Sequence, residues 1–320
     1  MGRRQSVVCK FIQRRSLHDL RMEADRISRT AEFMAFFRAL ESTGPAERRV
    51  LTDPFAANLL RPNLAGAVRL AQVPGMRKIV ERFADLRVPG ARTSAIARTW
   101  LIDEAWIRAI KEGIEQFVLL GAGFDCRAYR LNESARAAIF EVDHPAMLSL
   151  KRSRLGMARV DVPKNVRYAG IDFNRQSVGD VLAANGFDRG KRSMFVWERV
   201  TNYLTDEAVD AVLRYVGDCE PGSRIALTYV HTGLLDGSES FFGGKRILRD
   251  VAMIDEPWTF GFDPAALVEY LRARSLRLEY DAGAREYRQE CFGGHSAKMK
   301  GYDFYHVAIA CVQTGTQPQT

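Results

Sequence analysis

Apolar positions along this chain follow two rhythms, and the change between them falls near Gln116. Upstream, from about residue 25 to 115, Ala31, Met34 and Ala35 with Phe33, Phe36, Phe37 and Leu40 recur at three- and four-residue spacing, the period of an amphipathic helix. The spacing predicts an N-terminal helical cap, with Phe33, Phe36 and Phe37 read as core rather than as pocket lining. Gly44-Pro45 breaks the first helix, and Asp53-Pro54 predicts the next, with Asp53 as N-cap and Pro54 at the first helical position. Downstream, strand-length apolar runs alternate with helical segments, the signature of a mostly parallel sheet covered by helices on both faces. Strands are expected near 117–121, 138–143, 166–171, 194–198, 223–230, 276–281 and 302–312. Helices are expected near 144–155, 177–185, 205–217 and 263–275, the third opened by the capping residue Thr205 and the acids Asp206 and Glu207. The stretch 231–262 interrupts the alternation around Phe241-Phe242-Gly243-Gly244 and is expected to form a lid-like insertion.

The chemistry lies where the first two strands end. Phe117-Val118-Leu119-Leu120 runs into Gly121-Ala122-Gly123-Phe124-Asp125-Cys126, and Ala138-Ile139-Phe140-Glu141-Val142 runs into Asp143. Glycines at 121 and 123 let a ligand approach the backbone, and a carboxylate 22 positions after Gly121 can accept hydrogen bonds from ribose hydroxyls. The pattern points to a cofactor containing adenosine. A dinucleotide site would favour a third glycine where Cys126 stands, to seat a pyrophosphate on the helix N-terminus. Asp125 would oppose a pyrophosphate but tolerate a ligand bearing an ammonium and a sulfonium, which favours S-adenosyl-L-methionine over NAD; it would equally cap the following helix. An NAD-dependent oxidoreductase is the alternative from another class, and the chain lacks the Tyr-x-x-x-Lys pair it would need.

Composition narrows the class. With 47% hydrophobic residues in 320, the chain can bury a large core. Five scattered cysteines form no CxxC pair, and five histidines show no metal-ligating spacing, so neither a disulfide framework nor a metal site is expected. The formal charge of +8 arises from 47 basic residues interleaved with 39 acids, which reads as a solvated surface rather than a nucleic-acid footprint. No apolar run approaches the roughly 18 residues of a membrane span, and a cytoplasmic location is expected. The division expected is a basic arm over 1–24, the helical cap over 25–115, and the cofactor domain over 116–320.

The chain resembles the leucine carboxyl methyltransferase family, in particular its bacterial branch of S-adenosylmethionine-dependent enzymes. The resemblance rests on Ser28-Arg29-Thr30-Ala31-Glu32, Asp53-Pro54-Phe55-Ala56, Arg92-Thr93, the run Leu120 to Leu131, Glu141-Val142-Asp143-His144-Pro145 and Glu198-Arg199-Val200-Thr201-Asn202-Tyr203-Leu204. It implies a class I methyltransferase fold, a Rossmann-like α/β architecture with a seven-stranded, mostly parallel sheet. It also implies that Arg92 pairs with the cofactor carboxylate, Gly121 and Gly123 underlie its methionine part, and Asp143 holds the ribose. Asp172 and Phe173 would contact the adenine, Glu198 would lie near the cofactor's amino group, and Tyr203 would face the substrate. Cys126, His144 and Arg199 depart from the family's usual residues, and Arg199 bears on the size and charge of the substrate mouth.

These expectations add up to an O-methyltransferase acting on a carboxylate, or else a hydroxyl, of a small metabolite, with a place in secondary metabolism. A protein C-terminal carboxylate, as for the family's namesake, is the alternative acceptor. A carboxylate is ionised at pH 7 and needs only orienting donors, for which Tyr203 and Arg175 are the candidates. A phenol would profit from a base, for which His231 is the candidate.

Overall fold

The computed structural model describes residues 30–173, 175–253 and 257–313. The expected basic arm over 1–24, Ser28 and Arg29 of the first motif, and the tail from 314 lie outside these residues. Seven strands form one sheet: β1 (Gln116–Leu120), β2 (Ala138–Asp143), β3 (Val166–Gly170), β4 (Ser193–Trp197), β5 (Arg224–Val230), β6 (Leu276–Gly283) and β7 (Tyr305–Val312). Their order across the sheet is β3-β2-β1-β4-β5-β7-β6. The first five pair in parallel, whereas β7 runs antiparallel between β5 and β6. The chain order reverses between β1 and β4, and in open α/β sheets that switch point opens a crevice at the carboxyl ends of the strands.

Residues in β1 and β4 are buried without interruption because both faces of the sheet are covered. On one face Val118, Leu120, Phe140 and Val142 pack with Leu182, Val209, Leu213 and Leu267, which come from the helices Val178–Ala184, Asp206–Gly217 and Pro264–Arg272. On the other face Phe117, Leu119 and Ile139 meet Leu101, Ile102 and Trp106 of the Ala91–Lys111 helix and Tyr287 of the Ala284–Phe292 helix. The last helix of the expected cap is therefore a layer of the sheet sandwich. The preceding helices, 30–42, Pro62–Ala71 and Arg77–Arg87, build a separate core around Phe36, Phe37, Leu40 and Leu59. Phe33, read as core with its neighbours, is instead 43% exposed.

Local signals explain some boundaries. Thr205 Oγ1 accepts from Ala208 N, capping its helix as expected. Asp53 does cap, its Oδ1 accepting from Phe55 N and Ala56 N, but the element it opens is the four-residue turn Ala56–Leu59 rather than a full helix. Asp53 is itself buried and receives Arg38 Nε at 2.8 Å, so the turn is fastened to tertiary structure. The Ala284–Phe292 helix had no counterpart in the hydrophobic pattern; its apolar contacts come from only Ala284, Tyr287, Cys291 and Phe292. The insertion between β5 and β6 forms helices Thr232–Leu235 and Gly244–Met253 and is anchored near the sheet, with Thr259 N donating to Asn202 O at 2.9 Å. Among the described residues no helix is long and apolar enough to cross a membrane.

Candidate cofactor and substrate cleft

A cleft of about 800 Å³ opens at the switch point. Its floor is the turn after β1. Gly121 N and Ala122 N both donate to Val142 O, at 2.8 and 3.1 Å, tying the turn to β2. Gly121 adopts φ +70, and a Cβ there would lie 2.3 Å from Val200 Cγ2; Gly123 adopts φ +45. The turn thus needs glycine at 121 for both conformation and space. Gly121→Ala is expected to weaken S-adenosylhomocysteine binding about 10-fold and to cost on the order of 1–3 kcal/mol of stability. Calorimetry and chemical unfolding check this, and Val200→Ala in the same background should restore part of the loss by removing the colliding methyl.

Asp143 ends β2 beneath the cleft. Its Oδ2 accepts from Gly123 N and its Oδ1 from His144 N, each at 2.6 Å. Burial pushes this carboxyl above its ordinary range, and the two N–H groups pull it partly back. Each oxygen keeps a further lone pair, so the group can still accept from a diol. Asp172 and Phe173, just past β3, also line the cleft. Arg175 stands on the same loop, its Nε 3.4 Å from Asp172 Oδ2, with its side chain 84% exposed.

Under the floor runs a continuous chain of buried ion pairs. Arg38 Nε meets Asp53 at 2.8 Å, Arg130 meets Asp53 at 3.8 Å and Asp103 at 2.6 Å, and Arg127 meets Asp103 at 2.8 Å. Arg127 continues to Glu198 at 3.1 Å and also pairs with Asp125, and Arg98 Nε reaches Glu198 Oε1 at 2.8 Å. Arg38 and Glu198 both line the cleft. Burial alone would raise the Glu198 carboxyl, but Arg98 and Arg127 outweigh it and hold it down at about 2. Asp125 behaves alike: burial raises it, Arg127 and Arg38 oppose, and the net shift is downward. Its Oδ1 also accepts from Arg127 N at 2.7 Å, so Asp125 satisfies the first N–H of the short Arg127–Arg130 helix. Lys151, buried in the Pro145–Met157 helix, donates to Asp125 O at 2.5 Å and to Glu141 Oε2 at 2.8 Å, fastening the glycine turn from below.

Eight of the nine residues expected at the site therefore meet around one cleft: Gly121, Gly123, Asp143, Asp172, Phe173, Arg175, Glu198 and Tyr203. Arg92 does not. Its guanidinium pairs with Asp85 through Nε at 3.0 Å and Nη2 at 2.7 Å, away from the cleft lining. The Arg-Thr dipeptide recurs about 1.7 helical turns later as Arg98-Thr99, and that arginine faces Glu198. His231, the candidate base, is also displaced: its Nδ1 accepts from Gly233 N at 3.0 Å and caps the Thr232–Leu235 helix. Sequence reasoning missed Arg38, Arg127 and Tyr305. The ring of Tyr305, buried on β7, has Arg98 Cζ 5.3 Å and Arg199 Cζ 5.4 Å from its centroid.

The strand order and the glycine turn at the switch point are those of the class I methyltransferase fold. A solved DUF574 family protein from Streptomyces avermitilis shares the fold at a TM-score of 0.55 and 16% identity, over 87% of this chain and 97% of that one. A Thermobifida fusca protein described as a methyltransferase does so at 0.53 and 16%, over 86% and 97%. The sequence profile of leucine carboxyl methyltransferases matches residues 31–217. A Mycobacterium avium (strain 104) protein, named for S-adenosyl-L-methionine-dependent methyl transfer, is 36% identical over 267 residues, 80% of this chain and 84% of its own length. A similarly named protein of Mycobacterium sp. (strain JLS) is 29% identical over 254 residues, covering 75% and 77%. The chain belongs to the leucine carboxyl methyltransferase family, and with it to the S-adenosylmethionine-dependent methyltransferases.

Proposed function

We propose that the protein methylates a carboxylate oxygen of a small organic acid. The observation that carries this reading is a pair of waiting donors. Arg199 Nε and Tyr203 Oη are both buried, neither has a hydrogen-bond partner among the described residues, and both side chains belong to residues lining the cleft. Buried polar groups are rarely left unpaired without a functional reason, and an arginine with a phenol suits a carboxylate. Arg199 is also a non-glycine residue at φ +63, held by donation of its N–H to Thr228 Oγ1 at 2.7 Å. Such backbone strain collects at functional sites. Arg199 thus takes the orienting role beside Tyr203 that the sequence suggested for Arg175, which sits exposed at the rim.

The residues of the cleft fit the cofactor, with glycine required at 121 and a carboxylate at the end of β2. In this reading Asp143 holds the ribose, Asp172 and Phe173 flank the adenine, and Arg38 and Glu198 meet the charged amino-acid end. The bound cofactor supplies an electrophilic methyl group on a sulfonium. The protein's own task is positioning. Arg199 and Tyr203 orient the acceptor oxygen, and Pro257 and Thr259 from the insertion wall the cleft near them. A carboxylate arrives ionised, so no residue has to remove a proton.

The test uses methyl-labelled S-adenosylmethionine with a panel of small carboxylic acids. The product should release labelled methanol in mild base, as an ester does; a base-stable product would overturn the carboxylate reading. Arg199→Gln and Tyr203→Phe are each expected to raise the acceptor KM by about 10-fold, from loss of a hydrogen bond to a charged group. Affinity for S-adenosylhomocysteine should stay unchanged in both.

A further inference from the structure

A second cavity, of about 490 Å³, shares no lining residue with the cleft. It lies against the Ala284–Phe292 helix and the chain leading from it toward β7, with Phe242 of the insertion on its wall. Arg285, Arg288 and Lys300 bring three positive charges to it, against the single carboxylate of Asp303. That carboxylate is already shared, with Arg285 Nη2 and Arg288 Nη2 each 3.3 Å from one of its oxygens. Lys300 has no carboxylate within ion-pair distance among the described residues, and its ammonium stands 5.3 Å from the centroid of Phe242. Arg288 is 4% exposed, donates from Nη1 to Ser94 Oγ at 3.2 Å, and has a buried Nε with no hydrogen-bond partner among the described residues. The guanidinium lies directly against the bare backbone of Gly301, where a Cβ would fall 0.9 Å from Arg288 Nη1.

We propose that this cavity binds a small organic anion, an apolar body carrying a carboxylate or phosphate group. The excess of cations, with the Lys300 ammonium outside ion-pair distance of any carboxylate among the described residues and Arg288 Nε without a hydrogen-bond partner among them, calls for an oxyanion. The volume is that of a metabolite site, larger than inorganic phosphate requires. Phe242 and Met299 supply apolar wall for the rest of the ligand.

The test is calorimetric titration of the full chain, saturated with S-adenosylhomocysteine so that the cofactor cleft is filled, using phenyl phosphate, benzoate and inorganic phosphate. Phenyl phosphate or benzoate should bind saturably, one per chain, and at least 10-fold more tightly than inorganic phosphate. Arg285→Ala and Lys300→Ala remove exposed side chains; each should weaken that binding at least 10-fold while leaving thermal stability and S-adenosylhomocysteine affinity unchanged. Failure of both organic anions to saturate, or equal affinity for inorganic phosphate, overturns the proposal. So does binding that survives both variants or is lost instead in Arg199→Gln, which would place the ligand in the catalytic cleft.

Discussion

Replacing Glu198 by alanine is expected to cost about 3–5 kcal/mol of folding stability, the penalty for breaking a buried ion pair from one side. Arg127 would keep Asp103 and Asp125, but Arg98 would be stranded. Its side chain is 2% exposed, and Glu198 is its carboxylate partner among the described residues; the Met34 thioether, Tyr287 and the Tyr305 ring beside it carry no compensating charge. Denaturant unfolding of Glu198→Ala against wild type measures the cost, and a loss below about 1 kcal/mol would show that water reaches Arg98 and dissolves the argument. Acid supplies an independent check. The carboxyl is held at about 2 in the folded protein, below its ordinary 4.5. A group depressed by folding stabilises fully above its unfolded value and loses that contribution as pH falls through the folded one. The stability gap between wild type and Glu198→Gln should therefore be constant above about pH 5 and shrink between about pH 4.5 and about pH 2.

Asp143→Ala is expected to lower affinity for S-adenosylhomocysteine by about 10- to 100-fold, the effect of losing a charged acceptor contributing roughly 1.5–3 kcal/mol. The structure adds a second consequence. The carboxylate accepts from Gly123 N and His144 N, so its removal orphans two N–H groups and loosens the glycine turn against β2. Stability should fall by about 1–3 kcal/mol as well. A variant that folds and still binds S-adenosylhomocysteine like wild type would refute the ribose role, leaving Asp143 as a brace for the turn.

The two halves of the site differ in how far they could be read from the chain. Gly121, Gly123 and Asp143 stand at the ends of two neighbouring parallel strands joined by one short crossover, so the spacing between them already predicts that they meet. Arg98 illustrates the opposite case. Arg92-Thr93 and Arg98-Thr99 are the same dipeptide on one helix, and only the packing of that helix on the sheet turns one arginine toward Glu198 and leaves the other with Asp85. Tyr305 is harder still, since its place beside Arg98 and Arg199 depends on β7 entering the sheet antiparallel between β5 and β6. His231 looked like a base because it comes directly after a strand, yet capping its own short helix claims its Nδ1.

By itself the sequence determined the alternating α/β order, all seven strands to within a few residues, the helical N-terminal region and the glycine turn with its carboxylate. These are local properties: hydrophobic period, turn chemistry and capping act over a handful of neighbours. Only the tertiary structure decided which arginines become buried counter-charges, that Arg199 and Tyr203 both line the cleft with Arg199 Nε and Tyr203 Oη unpartnered among the described residues, and that the helix after β6 walls a second cationic cavity. Those outcomes depend on desolvation and pairing across long sequence separations, which appear only when distant elements are packed against one another.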